Sequence, residues 1–345
     1  MAELDRQGRP RLQPTFMLIG TPRAGTTVLY DSLTGNDPNV VSALTKEINY
    51  FNSDGWNAKP VKWYNSQFKR RKQPNQITGD GSCTSVLCPK VAERVKQRAP
   101  SITKLLMCVR DEVRRLQSHY RMCKQNEQVE IKGELEPKNK GAPKPGKNAK
   151  LPPLPPLADI VRRELAHVRS CDAKHASLPL EERYAVCYIN ATATCAFSSA
   201  LLPTTLHNSN RPGCGLPGGG GASLLAGSMY ALQLAPWLKA FSPSQLLLVQ
   251  KADLEHKPRV TLENVSAFIG SSHRYRDAKD VKGGATKKPK RRSFSGDGAL
   301  DDALKAELVA FFVPHRERLG KLLKERQIHM TRFTETTQAE YLVPA

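Results

Sequence analysis

Residues 15–33 read TFMLIGTPRAGTTVLYDSL. Four apolar residues, Phe16–Ile19, end at Gly20, and five positions later comes Gly25, followed by Thr26 and Thr27. The pattern predicts a buried strand, a glycine-bounded turn and a helix beginning at Thr26, with Val28, Leu29 and Leu33 on one side. Such a turn places backbone amides at the positive end of a helix, where an anion binds. A nucleotide-triphosphate loop of the Walker type has lysine where Thr26 stands. The cation here is Arg23, inside the loop. Its planar fork suits a phosphate-linked oxyanion held by hydrogen bonds without a metal.

The same alternation continues along the chain. Ile77–Ser82 (ITGDGS) predicts a strand edge entering a glycine loop, and Val91–Arg98 a helix. Ile102–Arg110 (ITKLLMCVR) is continuously apolar, as a strand covered on both faces requires. Asp111–Cys123 predicts a helix with an acidic start. Helices are also expected near Leu157–Val168, over YALQLAPWLKAF, over RVTLENVSAFIG up to Gly270, and over about 300–325. QLLLVQKADL reads as a strand with a charged exit. Strands alternating with helices predict an α/β fold: a phosphate-loop-like parallel sheet flanked by helices. We expect a single domain over about 14–340 after a tail at 1–13. It carries a linker-like, proline-rich insertion at about 124–156 and a Cys/Gly-rich insertion at about 171–225.

Composition narrows the partner. The 345 residues contain 53 Lys+Arg against 32 Asp+Glu, a net charge of +21. That excess favours an anionic ligand: nucleotide, acidic glycan, nucleic acid or membrane surface. Part of it is local, in 124–150 and 282–292, where a solvated basic segment accounts for it. No zinc-ligand spacing and no RNA-binding aromatic pattern is present, which lowers the nucleic-acid reading. No run has the length of a membrane-spanning helix and MAELDRQGRP does not read as a signal peptide, so membrane contact is expected only through an anchor outside this sequence. Of eight cysteines, Cys108 lies in an apolar run and reads as a buried thiol. Cys171, Cys187, Cys195 and Cys214 share an irregular region, which suits disulfides in an oxidising compartment. Sequons at Asn190 and Asn264 agree with a secretory lumen.

Arg110, at a strand exit, and Ser118, about two helical turns on, suggest a second anion site. Capping of the sheet and pairing with Asp111 is the competing role for Arg110. In order, GTPRAGTT, KEINYF, GDGSCTS, LLMCVRDEVRRLQSHY, YALQLAPWLKAFSPSQLLLVQKADLEHKPRVTLENVSAFIG and VPHRERLGKLL resemble the motifs of sulfotransferases that use 3′-phosphoadenosine 5′-phosphosulfate. The similarity covers about 16–120 and 227–323 and is nearest to the Golgi carbohydrate sulfotransferases of the heparan and chondroitin sulfate type.

The resemblance implies roles residue by residue. Arg23, Ala24, Gly25, Thr26 and Thr27 would hold the 5′-phosphosulfate, Arg23 also stabilising charge on the leaving oxygen. Arg110 and Ser118 would hold the 3′-phosphate. Glu47, among apolar and aromatic neighbours, matches the glutamate that serves as general base; pairing with Lys46 on the surface is its alternative role. Asn49 stands where several relatives carry histidine. Lys46 would contact the sulfate or the acceptor, and Asp80 and Ser82 match a segment lining the acceptor cleft, with ordinary turn residues as their alternative role. Lys282, Gly283 and Gly284 match in composition a loop that closes over the nucleotide. Trp56, Trp63 and Tyr64 are candidates either for stacking on sugar rings or for the core. His119 reads as packed rather than catalytic. No metal is implied. The implied function is O-sulfation of an anionic glycan in the Golgi lumen, without nucleic acid. The alternatives are sulfation of protein tyrosine or a small molecule, a metal-dependent phosphotransferase, and a non-catalytic anion binder.

Overall fold

The structure, a computed structural model, describes residues 10–52, 59–131, 154–189, 224–275 and 296–331. The chain divides into two compact units. One comprises Met1–Asp111, Met229–Arg292 and Ala310–Ala345; the other comprises Glu112–Ser228 and Ser293–Val309. The expectation of one domain with insertions thus meets a chain in which Glu112–Ser228 forms most of a unit of its own.

The first unit is built on a six-stranded sheet in the order β2-β3-β1-β4-β5-β6. Its strands are β1 (Pro14–Gly20), β2 (Val40–Val41), β3 (Ile77–Asp80), β4 (Lys104–Val109), β5 (Leu246–Gln250) and β6 (His329–Met330), and every pairing is parallel. Its helices are α1 (Thr26–Asn36), α2 (Val61–Ser66) and α3 (Val91–Arg98), followed after the second unit's segment by further helices described below. Phe16, Met17, Leu18 and Ile19 of β1 are all buried, as are Leu105–Val109 of β4. Continuous apolar runs are what a strand covered on both faces demands. Phe16, Leu18, Leu106 and Val249 pack with Leu29 and Leu33 of α1 and with Leu262 and Val265, each contributing roughly 1.5–3 kcal/mol through burial. The strands at β2 and β6 are two residues each and carry no periodicity that a sequence reading can register.

Strand order positions the ligand crevice. The chain leaves β1 through α1 toward β2 and β3, then crosses back over β1 to form β4, and leaves β4 toward β5. Connections depart in opposite directions from the adjacent strands β1 and β4. In open parallel sheets the crevice beyond the carboxyl ends at such a reversal is where ligands bind.

The second unit contains α4 (Glu112–Ile131) and α5 (Leu157–Lys174). Helix α4 runs to Ile131, past Lys124, where linker composition begins. Buried Arg115 donates to Ser228 Oγ and to the Leu224 carbonyl, both at 2.6 Å. The Glu164 carboxylate accepts the amides of Leu224 (2.9 Å) and Leu225 (3.0 Å). Cys171 and Cys187 form a disulfide, in keeping with the expected oxidised cluster; Cys195 and Cys214 lie outside the described residues. Cys108 is a buried free thiol, as expected, and so is Cys83. Asn264 is exposed, whereas Asn190 lies outside the described residues.

After Ser228 the α-helices are α6 (Tyr230–Ala240), α7 (Lys251–His256), α8 (Pro258–Phe268) and α9 (Asp302–Arg326). Among the described residues no helix is long and apolar enough to cross a membrane.

Candidate active site

The loop between β1 and α1 closes over the end of β4. The Thr21 amide donates to the Cys108 carbonyl (3.1 Å), the Ala24 amide to the Thr21 carbonyl (3.0 Å), and the Thr21 hydroxyl to Gln233 Oε1 (3.4 Å). A side chain at Gly20 would stand 2.8 Å from Val86 Cβ, so the strand ends on the residue that leaves room for its neighbour. Arg23 has φ 70°, and Gly25, the N-cap of α1, has φ 99°. Gly25 offers no capping side chain, and no side chain caps this helix. The first amides of α1 have no carbonyl one turn earlier to bond, and they point outward at the positive helix end.

Arg110 approaches from the end of β4. Its Nη1 donates to the Arg23 carbonyl at 3.2 Å. Its own backbone is clamped by Tyr230, whose hydroxyl accepts the Arg110 amide (3.2 Å) and donates to the Arg110 carbonyl (2.6 Å). Two guanidinium-bearing residues from the carboxyl ends of the adjacent central strands therefore meet beside the start of α1.

Glu47 lies on the loop after β2. Its backbone has φ 62° and that of Asn49 has φ 53°, a left-handed pair that turns the chain sharply. Asp80 and Ser82, at the end of β3, hold this turn in place. Ser82 Oγ accepts the Asn49 amide (2.8 Å) and donates to Asp80 Oδ1 (2.6 Å), which also accepts the Ser82 amide (2.9 Å). Tyr64 donates to Asp80 Oδ2 at 3.1 Å. Asp80 is fully buried, and burial pushes its carboxyl up to about 6 against the lowering hydrogen bonds from Ser82 and Tyr64. The expected acceptor-side residues Asp80 and Ser82 are thus inside the protein, with partners of their own.

The Glu47 carboxylate is itself gripped. Oε2 accepts the Cys83 amide and Oε1 the Cys83 thiol, each at 3.0 Å, and Oε1 also pairs with the Lys46 ammonium. Burial, reinforced by the Glu47 charge, pushes the Cys83 thiol up to about 12, so it stays protonated and donates. A hydrogen bond from Thr26 reaches the same sulfur, tying the carboxylate through Cys83 to the first residue of α1. Burial opposes the charge on Lys46, but its neighbours Cys83 and Glu47 outweigh it and raise its pKa. The Glu47 side chain remains 32% exposed, open to a partner from solvent.

Arg23, Ala24, Gly25, Thr26, Thr27, Lys46, Glu47 and Arg110 all belong to the first unit, around the ends of β1, β3 and β4. Ser118 is half-buried on α4 and belongs to the second unit, as does His119, which is buried with Nδ1 3.5 Å from Arg115 Nη1. Lys282, Gly283, Gly284 and Trp56 lie outside the described residues. Tyr64 is fully buried among Tyr50, Phe51 and Phe68, so it belongs to the core. Trp63 is half-buried, with the Lys59 ammonium 3.7 Å over its ring. Sequence reading missed Cys83, Tyr230, Gln233 and Lys251. Lys251 follows β5, and its aliphatic stem lies against Gly25. A polar residue just after an apolar strand was the signal for it; the others gave none. Among the described residues no group of three or more His, Cys, Asp or Glu is arranged to hold a metal ion.

No family model matches the chain. It is 22% identical, over 346 residues, to the membrane-associated sulfotransferase kil1 of Dictyostelium discoideum, covering 92% of this chain. The chain spans 66% of the length of that curated relative. In three dimensions it is similar to the crystal structure of a sulfotransferase from Alicyclobacillus acidocaldarius. The TM-score is 0.53 at 17% identity, over 90% of this chain and 96% of the other. That likeness fixes the fold: a parallel sheet flanked by helices of the phosphate-loop type.

Proposed function

We propose that the chain is a sulfotransferase that moves a sulfuryl group from 3′-phosphoadenosine 5′-phosphosulfate to a carbohydrate hydroxyl. One observation carries the reading: the Arg110 guanidinium donates to the Arg23 backbone carbonyl, bringing a strand-end cation onto the loop that carries Arg23, beside an uncapped helix start. The two sulfotransferases similar to this chain support it. The residues fit an anionic donor, since no side chain caps the start of α1, Gly25 adds no side chain of its own there, and Arg23 is half-buried within the loop.

The donor supplies the activated sulfuryl group. The amides of Gly25–Thr27 and the Arg23 fork bind its sulfated end, and Arg110 binds the other phosphate. Arg23 stabilises the negative charge left behind on transfer; a charge-assisted hydrogen bond contributes about 1.5–3 kcal/mol, and more where charge grows only in the transition state. Glu47 accepts the proton of the acceptor hydroxyl at a carboxylate oxygen. Lys46 and Cys83 keep that carboxylate oriented, while Asp80 and Ser82 hold the turn that carries it. Acidic glycans suit the +21 charge, and the Cys171–Cys187 disulfide suits a secretory lumen such as the Golgi.

The test is an acceptor screen with sulfur-labelled donor, with and without EDTA, alongside melting curves with adenosine 3′,5′-bisphosphate. Label on a glycan hydroxyl, EDTA-resistant and accompanied by a saturable thermal shift, is the expected result. Label on tyrosine or on a small molecule only would replace the carbohydrate assignment. Absence of both transfer and thermal shift would overturn the proposal.

A further inference from the structure

The loop lacks the lysine that follows the second glycine in Walker-type loops, and Thr26 stands there instead. A lysine nevertheless reaches the loop from elsewhere in the fold. Lys251 is the first residue of α7, directly after β5. Neighbouring strands lie about 4.8 Å apart, so the ends of β1, β4 and β5 fall within the reach of a long side chain. The Lys251 stem folds back over the loop. Its Cγ, Cδ and Cβ lie 3.3, 3.6 and 3.8 Å from where a Cβ on Gly25 would be. Its charge also reaches the Cys108 thiol, on which Lys46 acts as well, and the Cys108 carbonyl is the group that anchors Thr21 of the loop. The Lys251 ammonium pairs with Glu255, one turn further along α7. Both side chains are partly exposed, 18% for Lys251 and 32% for Glu255, so an incoming anion can compete for this pair.

We propose that Lys251 supplies from the end of β5 the ammonium that the loop itself omits, binding the 5′-phosphate end of the nucleotide donor, with Glu255 as its partner in the unliganded protein. The inference rests on the donor reading above and extends it to a residue outside the loop, one to which the resemblance assigned no role. Gly25 then serves two purposes: its φ of 99° starts the helix, and its missing side chain leaves a channel for the lysine stem. A lysine acts here as a mobile point charge, unlike the fixed fork of Arg23. It can leave Glu255 for a phosphate oxygen without any movement of the backbone.

The test is calorimetric titration of the full chain with adenosine 3′,5′-bisphosphate, adenosine 5′-phosphate and adenosine 3′-phosphate. Lys251→Met keeps the stem and removes the charge. It is expected to weaken the bisphosphate and the 5′-phosphate about tenfold, the equivalent of roughly 1.4 kcal/mol, and to leave the 3′-phosphate within twofold. Lys251→Arg should restore most of the loss. Glu255→Gln removes the carboxylate that competes with the phosphate for this ammonium and should tighten the 5′-phosphate about threefold, a gain that damage to the fold cannot mimic. Unchanged 5′-phosphate affinity in Lys251→Met together with unchanged affinity in Glu255→Gln overturns the inference while the donor site stands. If the wild-type chain binds none of the three nucleotides, the donor reading fails, and this inference with it.

Discussion

Glu47 is held at both carboxylate oxygens by one residue, Cys83, through its amide and its thiol. Glu47→Gln is the nearest isostere, and it cannot accept a proton. Turnover should fall by about 10²–10⁴, the usual contribution of a general base, with nucleotide affinity retained. Steady-state kinetics beside a binding titration check this, and wild-type-like kcat removes Glu47 from the role. Cys83→Ala keeps the amide contact but loses the thiol. It should lower kcat several-fold at unchanged nucleotide affinity, and Cys83→Ser, which restores a donor, should recover most of it. Asp80 titrates as a buried structural acid. Its pKa rises from the ordinary 3.8 to about 6 in the folded protein, mainly through burial. The folded state therefore binds this proton more tightly than the unfolded chain. Stability from this group is complete below 3.8 and is lost as pH rises through about 6. Relative to Asp80→Asn, which does not titrate, the wild type should lose on the order of 3 kcal/mol across that window. Denaturant melts of both proteins at several pH values measure it, and a constant difference between them refutes it. Arg23 and Glu47 were legible because an arginine inside a glycine turn and a carboxylate among aromatic residues stand out from their neighbours. Cys83 acts through contacts between segments far apart in the chain, which no local pattern records; for Lys251 the pattern marked only a charged strand exit, and its approach to Gly25 is tertiary.

At the scale of elements, the stretch from Phe16 to Leu33 was readable because each of its parts obeys a local rule. The apolar run becomes β1, the glycines turn the chain, and the helix starts at Thr26 as spacing predicts. The strands at 104–109 and 246–250 were equally plain, since burial on both faces demands uninterrupted apolar residues. The edge strands β2 and β6 owe their existence to pairing with β3 and β5, not to their own two residues. The junction between β1 and α1 is also where a backbone substitution is most informative. Gly25→Ala forces a side chain onto φ 99° and into the Lys251 stem at 3.3 Å. The backbone term alone costs roughly 1–2 kcal/mol. The expected outcome is a lower melting temperature together with weaker binding of adenosine 3′,5′-bisphosphate, because the same atom shifts both the helix start and the lysine. A variant that loses stability but keeps its affinity shows that the amides at this turn do not hold the ligand.

At the scale of the whole molecule, the alternation of strands and helices foretold the parallel sheet, and the chain's division into two compact units was not foretold. Glu112–Ser228 carries helices that, taken one by one, read like any others in an α/β domain. What distinguishes them is tertiary: an interior held by buried Arg115 and by Glu164 on the amides of Leu224 and Leu225, and a covalent link between Cys171 and Cys187. Helix α5 carries Cys171, and a short helical turn at Leu180–Arg183 separates it from Cys187. In that stretch the exposed residues outnumber the buried ones, so apolar burial contributes little and the disulfide has a correspondingly large share in holding it. The two cysteines are 16 residues apart, and closing a loop of that length restricts the unfolded chain by about 3 kcal/mol. The double substitution Cys171→Ser and Cys187→Ser should therefore lower the midpoint of unfolding measured under non-reducing conditions. Cys88 and Cys123 are also disulfide-bonded, so the comparison is made without reductant, where only the Cys171–Cys187 link differs between the two proteins. Equal midpoints for the wild type and the double variant without reductant would mean that polar contacts around Arg115 and Glu164 hold this unit without help from the cross-link.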